Sequence, residues 1–184
     1  MTASPLVAAP LAQSAPPVSM DFLSSGGTLA VMGSDSFITF YTTSDYQIAR
    51  SLLGYGYVSD QSTGIASIIS LTPNGQNLAL LSSDPSTGEN VVEVWDLLLT
   101  RVLWTSRLED IGGASDLDTS PDASLVLVAH PDGASVHDLN SGATLRQIEG
   151  TNITRAFFDA NGRVHIVGGD EGAFTWRVLG VPGQ

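Results

Sequence analysis

Residues 65–96 read IASIISLTPNGQNLALLSSDPSTGENVVEVWD. Ile65 to Leu71 is an apolar run, Thr72-Pro73-Asn74-Gly75 interrupts it, and Leu78 to Leu81 resumes it. A polar loop from Ser82 to Asn90, carrying Asp84 and Glu89, precedes a third run, Val91 to Asp96, and Val102-Leu103-Trp104 supplies a fourth. Proline presets the second position of a tight turn, asparagine tolerates left-handed backbone, and glycine adopts positive φ without steric cost. The apolar runs are too short for helices and carry no helical period. Their valine and isoleucine content suits a pleated, half-buried surface. The stretch therefore predicts antiparallel strands joined by tight turns.

The same grammar recurs on both sides. Downstream, Ser120-Pro121-Asp122-Ala123 leads into Leu125 to Ala129, and the His130-Pro131-Asp132-Gly133 turn leads into Ser135-Val136-His137-Asp138. Leu139-Asn140-Ser141-Gly142 then precedes Thr144 to Ile148. A further unit has Ile153 to Phe158, the turn Asp159-Ala160-Asn161-Gly162, Val164 to Val167, Gly168-Gly169-Asp170 and Ala173 to Arg177. Upstream, Val18 to Leu23, Ser24-Ser25-Gly26-Gly27, Thr28 to Met32, a turn with Asp35, Phe37 to Thr42 and Ile48 to Leu53 make another. Four units result, at about 18–56, 65–108, 114–149 and 153–180, and a period of roughly 40–50 residues marks a repeat architecture. Residues 1–17, with Pro5, Pro10, Pro16 and Pro17, read as a flexible tail or an added edge strand.

Composition agrees with an all-β chain. Of 184 residues, 42% are hydrophobic and 14% charged, and 19 are glycine, so the chain can bury a core and turn often. Nineteen acidic against seven basic residues give a formal charge of −12. Such a surface repels phosphate backbones and anionic membranes, and it attracts basic protein partners. The absence of cysteine excludes disulfides and thiolate metal sites. No apolar run approaches a membrane span, and the N-terminus lacks the basic opening of a secretory signal. These features set the expectation of a cytoplasmic or nuclear protein that binds neither nucleic acid nor membrane.

The four units resemble WD40 repeats. The likeness rests on Trp95-Asp96 at the end of a third strand, the analogous His137-Asp138, Tyr41 and Trp176 in similar places, and the turn tetrads. Asp35, Asp84, Asp132 and Asp170 look like the family's recurring turn aspartate. Only one Trp-Asp pair occurs, and no unit opens on Gly-His. The resemblance implies a β-propeller, or part of one, of about four blades. In the family, the aspartate and the strand-three tryptophan help tie a blade together by hydrogen bonds. It also implies a protein-interaction role. The last unit stops where its fourth strand is due, and an open ring leaves edges that recruit other strands. Closure by a second copy or by another subunit is expected ahead of closure of the chain on itself.

Catalytic, cofactor and metal constellations are not discernible. Gly-rich stretches lack nucleotide-binding spacing, the chain has no Gly-x-Ser-x-Gly elbow and no lysine, and its three histidines lack zinc spacing. Asp116 and Asp118 share one strand face and read as solvated. The expectation is therefore a scaffold without cofactor, holding partners through Trp104 on an outer strand and through Asp84 and Glu89 in the expanded loop. The alternatives are a propeller hydrolase or lyase, using Asp116, Asp118, Arg155 and His165, and a small-ligand or glycan binder.

Overall fold

The structure is a computed structural model that describes residues 15–23, 25–35, 37–53, 66–83, 87, 89–108, 114–169 and 175–180. Its fifteen strands form four antiparallel meanders, the blades. Blade 1 contains β1 (Pro17–Phe22), β2 (Thr28–Gly33), β3 (Phe37–Thr42) and β4 (Ile48–Leu53). Blade 2 contains β5 (Ala66–Leu71), β6 (Asn77–Ser83), β7 (Asn90–Asp96) and β8 (Arg101–Leu108). Blade 3 contains β9 (Asp116–Thr119), β10 (Leu125–His130), β11 (Gly133–Asp138) and β12 (Thr144–Glu149). Blade 4 contains β13 (Ile153–Phe158), β14 (Val164–Gly168) and β15 (Thr175–Leu179). Within each blade the strands lie in chain order.

Two kinds of turn set this pattern. Between the first and second strands, the amides of Gly26, Gly75, Ala123 and Gly162 each donate to the carbonyl three residues back. All four residues have φ between +58° and +74°. Between the third and fourth strands, Tyr46, Thr100 and Gly142 also adopt positive φ. Beside each of those turns the register slips once, between Phe40 and Tyr41, Val94 and Trp95, and Val136 and His137. The extra residue increases local twist, which splays each blade.

The first strands β1, β5, β9 and β13 contact one another in sequence, so the blades fan outward from a shared inner side. Three apolar layers fill the seams. Ala30, Met32, Ile38 and Phe40 meet Ile69, Leu71, Leu78 and Leu80 between blades 1 and 2. Ala79, Leu81, Val92 and Val94 meet Leu117, Val126, Val128 and Leu139 between blades 2 and 3. Leu127, Ala129, Ala134 and Val136 meet Ile153, Ala156, Val164 and Ile166 between blades 3 and 4. Burying a Leu, Ile or Val side chain contributes about 1.5–3 kcal/mol, so these seams supply the driving force that joins the sheets.

The boundary of the N-terminal segment needs one correction. Pro17 belongs to β1, and the Pro16 carbonyl accepts the Ser34 amide. Proline is tolerated there because it opens an edge strand, where no ladder amide is required. The suggested edge strand Leu6 to Ala9 lies outside the described residues.

Candidate interaction surfaces

Two polar devices lock the seams. The first runs along the inner strands. The Ile69 amide donates to Ser19 Oγ (3.2 Å) and the Leu71 amide to Asp21 Oδ2 (2.6 Å), from blade 2 to blade 1. The Ala156 amide donates to Asp116 Oδ2 (3.2 Å) and the Phe158 amide to Asp118 Oδ2 (2.7 Å), from blade 4 to blade 3. At the middle seam Thr119 Oγ1 donates to the Leu71 carbonyl (3.0 Å), and Ser70 Oγ lies within bonding distance of Asp118 and Thr119. Edge amides that no ladder satisfies thus find side-chain acceptors, which removes the cost of leaving them buried and unpaired.

Asp116 and Asp118 are therefore not a solvated face, contrary to the sequence expectation. Alternation does place both on one side of β9, but that side points into the seam with blade 4. Burial raises the Asp116 and Asp21 carboxyls above the ordinary value. It pushes Asp118 up to about 6, with the charges of Asp116 and Asp21 adding to the effect. The bonds from Phe158 and Thr119 amides act in the opposite direction.

The second device joins the outer strands. Arg50, Trp104 and Arg146 pair with Phe40, Val94 and Val136, one equivalent place in β4, β8 and β12. Each donates across its seam to a carbonyl that follows the third strand of the next blade. Arg50 Nη1 reaches Leu97, Trp104 Nε1 reaches Leu139 (2.8 Å), and Arg146 Nη1 reaches Gly180 (2.6 Å). The Trp104 ring also packs on Gly142, where an added Cβ would stand 2.7 Å from it. Trp104 thus lies half-buried between blades 2 and 3, with its one donor engaged.

The residues of the repeat signature divide. Trp95 packs against the blade 1–2 layer, but its indole nitrogen is buried without a partner among the described residues, so it does not form the implied bond. Asp96 and Asp138 cap the turns after β7 and β11, accepting the Leu99 amide (2.9 Å) and the Ser141 amide (2.8 Å). His137 is buried, with Nε2 2.8 Å from Ser135 Oγ. Asp35 accepts the Phe37 amide in its turn, and Asp132 lies exposed between β10 and β11. Glu89 pairs with Arg107 at 3.3 Å, both partly exposed. Asp84 and Asp170 lie outside the described residues.

Trp176 requires a correction. The partners of Leu29, Leu78, Val126 and Val164, equivalent residues that open the second strands, are Tyr41, Trp95, His137 and Leu179. Leu179 therefore holds the place assigned to Trp176, which lies three residues earlier and hence on the opposite face. There Trp176 Nε1 donates to His165 Nδ1 (3.1 Å). The ring proton of His165 accordingly sits on Nε2, which donates to Asp159 Oδ2 (3.1 Å). Phe157 stacks on His165 with ring centres 5.0 Å apart.

This aromatic array faces away from blade 3, and Trp176 is 68% exposed. At the other end of the arc, Val18, Met20 and Phe22 of β1 form an exposed row, with Met20 61% exposed. Among the described residues no strand pairs with the outer edge of β15. Of the residues considered for catalysis, Arg155 meets Asp116 at 3.3 Å, whereas His165 is turned to Asp159 and Trp176. Among the described residues no group of three or more acidic or histidine side chains is placed to hold a metal.

Sequence reasoning overlooked Asp21 and Arg50. A signal for the first was present: Asp21, Ser70 and Asp118 each stand five residues before the left-handed turn residue. Blade 4 has Phe157 there, which cannot accept an amide.

Fold and geometry together define a β-propeller-like protein, an arc of four radial sheets. Solved structures share this fold. Hydrazine synthase from Kuenenia stuttgartiensis matches with a TM-score of 0.69 over 91% of this chain, at 16% identity. The structure of U3-55K matches with a TM-score of 0.72 over 92%, at 12% identity. In each case the chain spans 50% of the solved chain. No family model and no curated protein sequence matches.

Proposed function

We propose that the protein is a non-catalytic interaction scaffold, a WD40-like propeller module that holds protein partners at the two ends of its arc. The observation that carries this reading is the apolar exposure of both end blades, the Val18-Met20-Phe22 row and the Phe157-Trp176-Val178 array. Exposed apolar faces beside an open strand edge recruit protein, by burial and by strand addition. Charge divides the two ends. In residues 150–184, Asp159, Asp170 and Glu171 are balanced by Arg155, Arg163 and Arg177, so the entire −12 resides in residues 1–149. Most of that charge lies in blades 2 and 3, since residues 1–56 hold Asp21, Asp35 and Asp45 against Arg50; the blade 1 end is mildly acidic and favours a basic partner, while the blade 4 end tolerates an acidic one, such as blade 1 of a second copy.

Hydrogen–deuterium exchange tests the reading. In the assembled state, whether with a second copy or with a purified partner, the amides of Thr175–Leu179 gain protection. Exchange there that stays unchanged at every concentration of chain and partner contradicts the proposal.

A further inference from the structure

Beside the blade 1–2 seam lies a cavity of about 380 Å³, lined by Leu23, Phe40, Leu71, Leu97 and Leu98 together with Arg50. Arg50 is anomalous among the three outer-strand clasps. Trp104 has a single donor and uses it, and the Arg146 bond is open to solvent. The Arg50 guanidinium instead lies over the Phe40 ring, 4.8 Å from its centre, and bonds the Leu97 carbonyl. Its Nη2 is buried and has no hydrogen-bond partner among the described residues. Burial lowers the pKa of the group, and among the described residues no carboxylate pairs with it. A half-buried cation with a covered, idle donor is costly, and an anion relieves that cost.

The walls decide which anion. They are mostly apolar, with Thr28 and Gln76 as uncharged polar members and Leu98 83% exposed. Beside Arg50 the lining brings no second cation to a phosphate or sulfate, and the −12 chain opposes multiply charged anions. A single carboxylate on an apolar body satisfies both the donor and the walls. We propose that this cavity binds apolar carboxylates, either a free alkyl acid or the C-terminus of a peptide ending in an apolar residue, with Arg50 as the anion anchor. Because Nη2 is covered by its neighbours, engaging it requires the guanidinium to turn toward the cavity.

Calorimetric titration of the full chain with octanoate tests the assignment, with octanol as the uncharged control. Octanoate binds saturably and octanol at least about tenfold more weakly, as expected for loss of a charge-assisted bond. Each methylene removed from the acid weakens binding about fourfold. Arg50→Met abolishes binding while melting as a folded protein. Leu98→Asp supplies the second variant should Arg50→Met not fold, because an exposed leucine contributes little to stability and its replacement places a like charge at the mouth. A leucine-terminated peptide, compared as free acid and as amide, separates the sources. Tighter binding of the peptide acid than of octanoate, with none by the amide, assigns a peptide terminus; the reverse order of the two acids assigns a free acid. No saturable octanoate binding, equal binding of octanol, or wild-type binding by either folded variant overturns the proposal.

Discussion

The four left-handed residues that end the first turn of each blade are Gly26, Gly75, Ala123 and Gly162. Alanine at φ +58° is strained where glycine is not, so Ala123→Gly is expected to raise unfolding free energy by about 0.5–1 kcal/mol, read from urea denaturation. Asp118 sets a pH dependence. Its folded pKa of about 6 lies above the ordinary 3.8, so the folded protein takes up this proton first as pH falls. The stability it contributes is present below pH 3.8 and is lost as pH rises through about 6. His130 and His137, held down by burial, work in the opposite sense, and comparison with Asp118→Asn cancels them. Wild-type stability minus that of the variant is expected to fall by on the order of 2 kcal/mol between pH 4 and pH 7. The turn tetrads and the Trp95–His137 equivalence were legible because both follow from local spacing. The place of Trp176 was not: an aromatic type was matched instead of a register, and an offset of three residues reverses the face. The burial of Asp116 and Asp118 was hidden too, since alternation tells which residues share a face but not what that face meets.

At the scale of the strand and the blade, β11, β13 and the strands of blade 2 fall close to where apolar runs and turns placed them. Most boundaries moved by a residue or two, as in β15, which runs from Thr175 to Leu179 instead of ending at Arg177, whereas β8 continues four residues past Trp104 to Leu108. What holds blade to blade was invisible in sequence, because seam contacts join residues about 35–50 positions apart that share no motif. Leu127, fully buried in the blade 3–4 layer, has no room to collapse around a truncation. Leu127→Ala is expected to cost about 2–5 kcal/mol in thermal or denaturant unfolding. Trp104→Phe keeps most of the ring on Gly142 but removes the donor to Leu139. It is expected to cost about 1–2 kcal/mol, a smaller loss than the cavity, measured in the same experiment.

At the scale of the whole molecule, three internal seams are each closed by an apolar layer, an inner polar bond and an outer clasp. The ends of the arc differ. Blade 4 lacks a fourth strand among the described residues, and Phe157 and Arg155 stand where blades 1 and 3 carry their acceptors. The outward face of blade 4 is therefore not built to receive another sheet by the same polar bonds, and its exposed aromatic array relies on burial alone. The measurement that bears most directly on this account is the molar mass by light scattering across a concentration series. A mass rising above the 19.2 kDa of one chain, alone or with a basic partner added, and returning to it in Met20→Glu and Trp176→Glu, agrees with the end faces as docking surfaces. A constant mass of one chain at every concentration, unchanged by any partner and by either substitution, contradicts it.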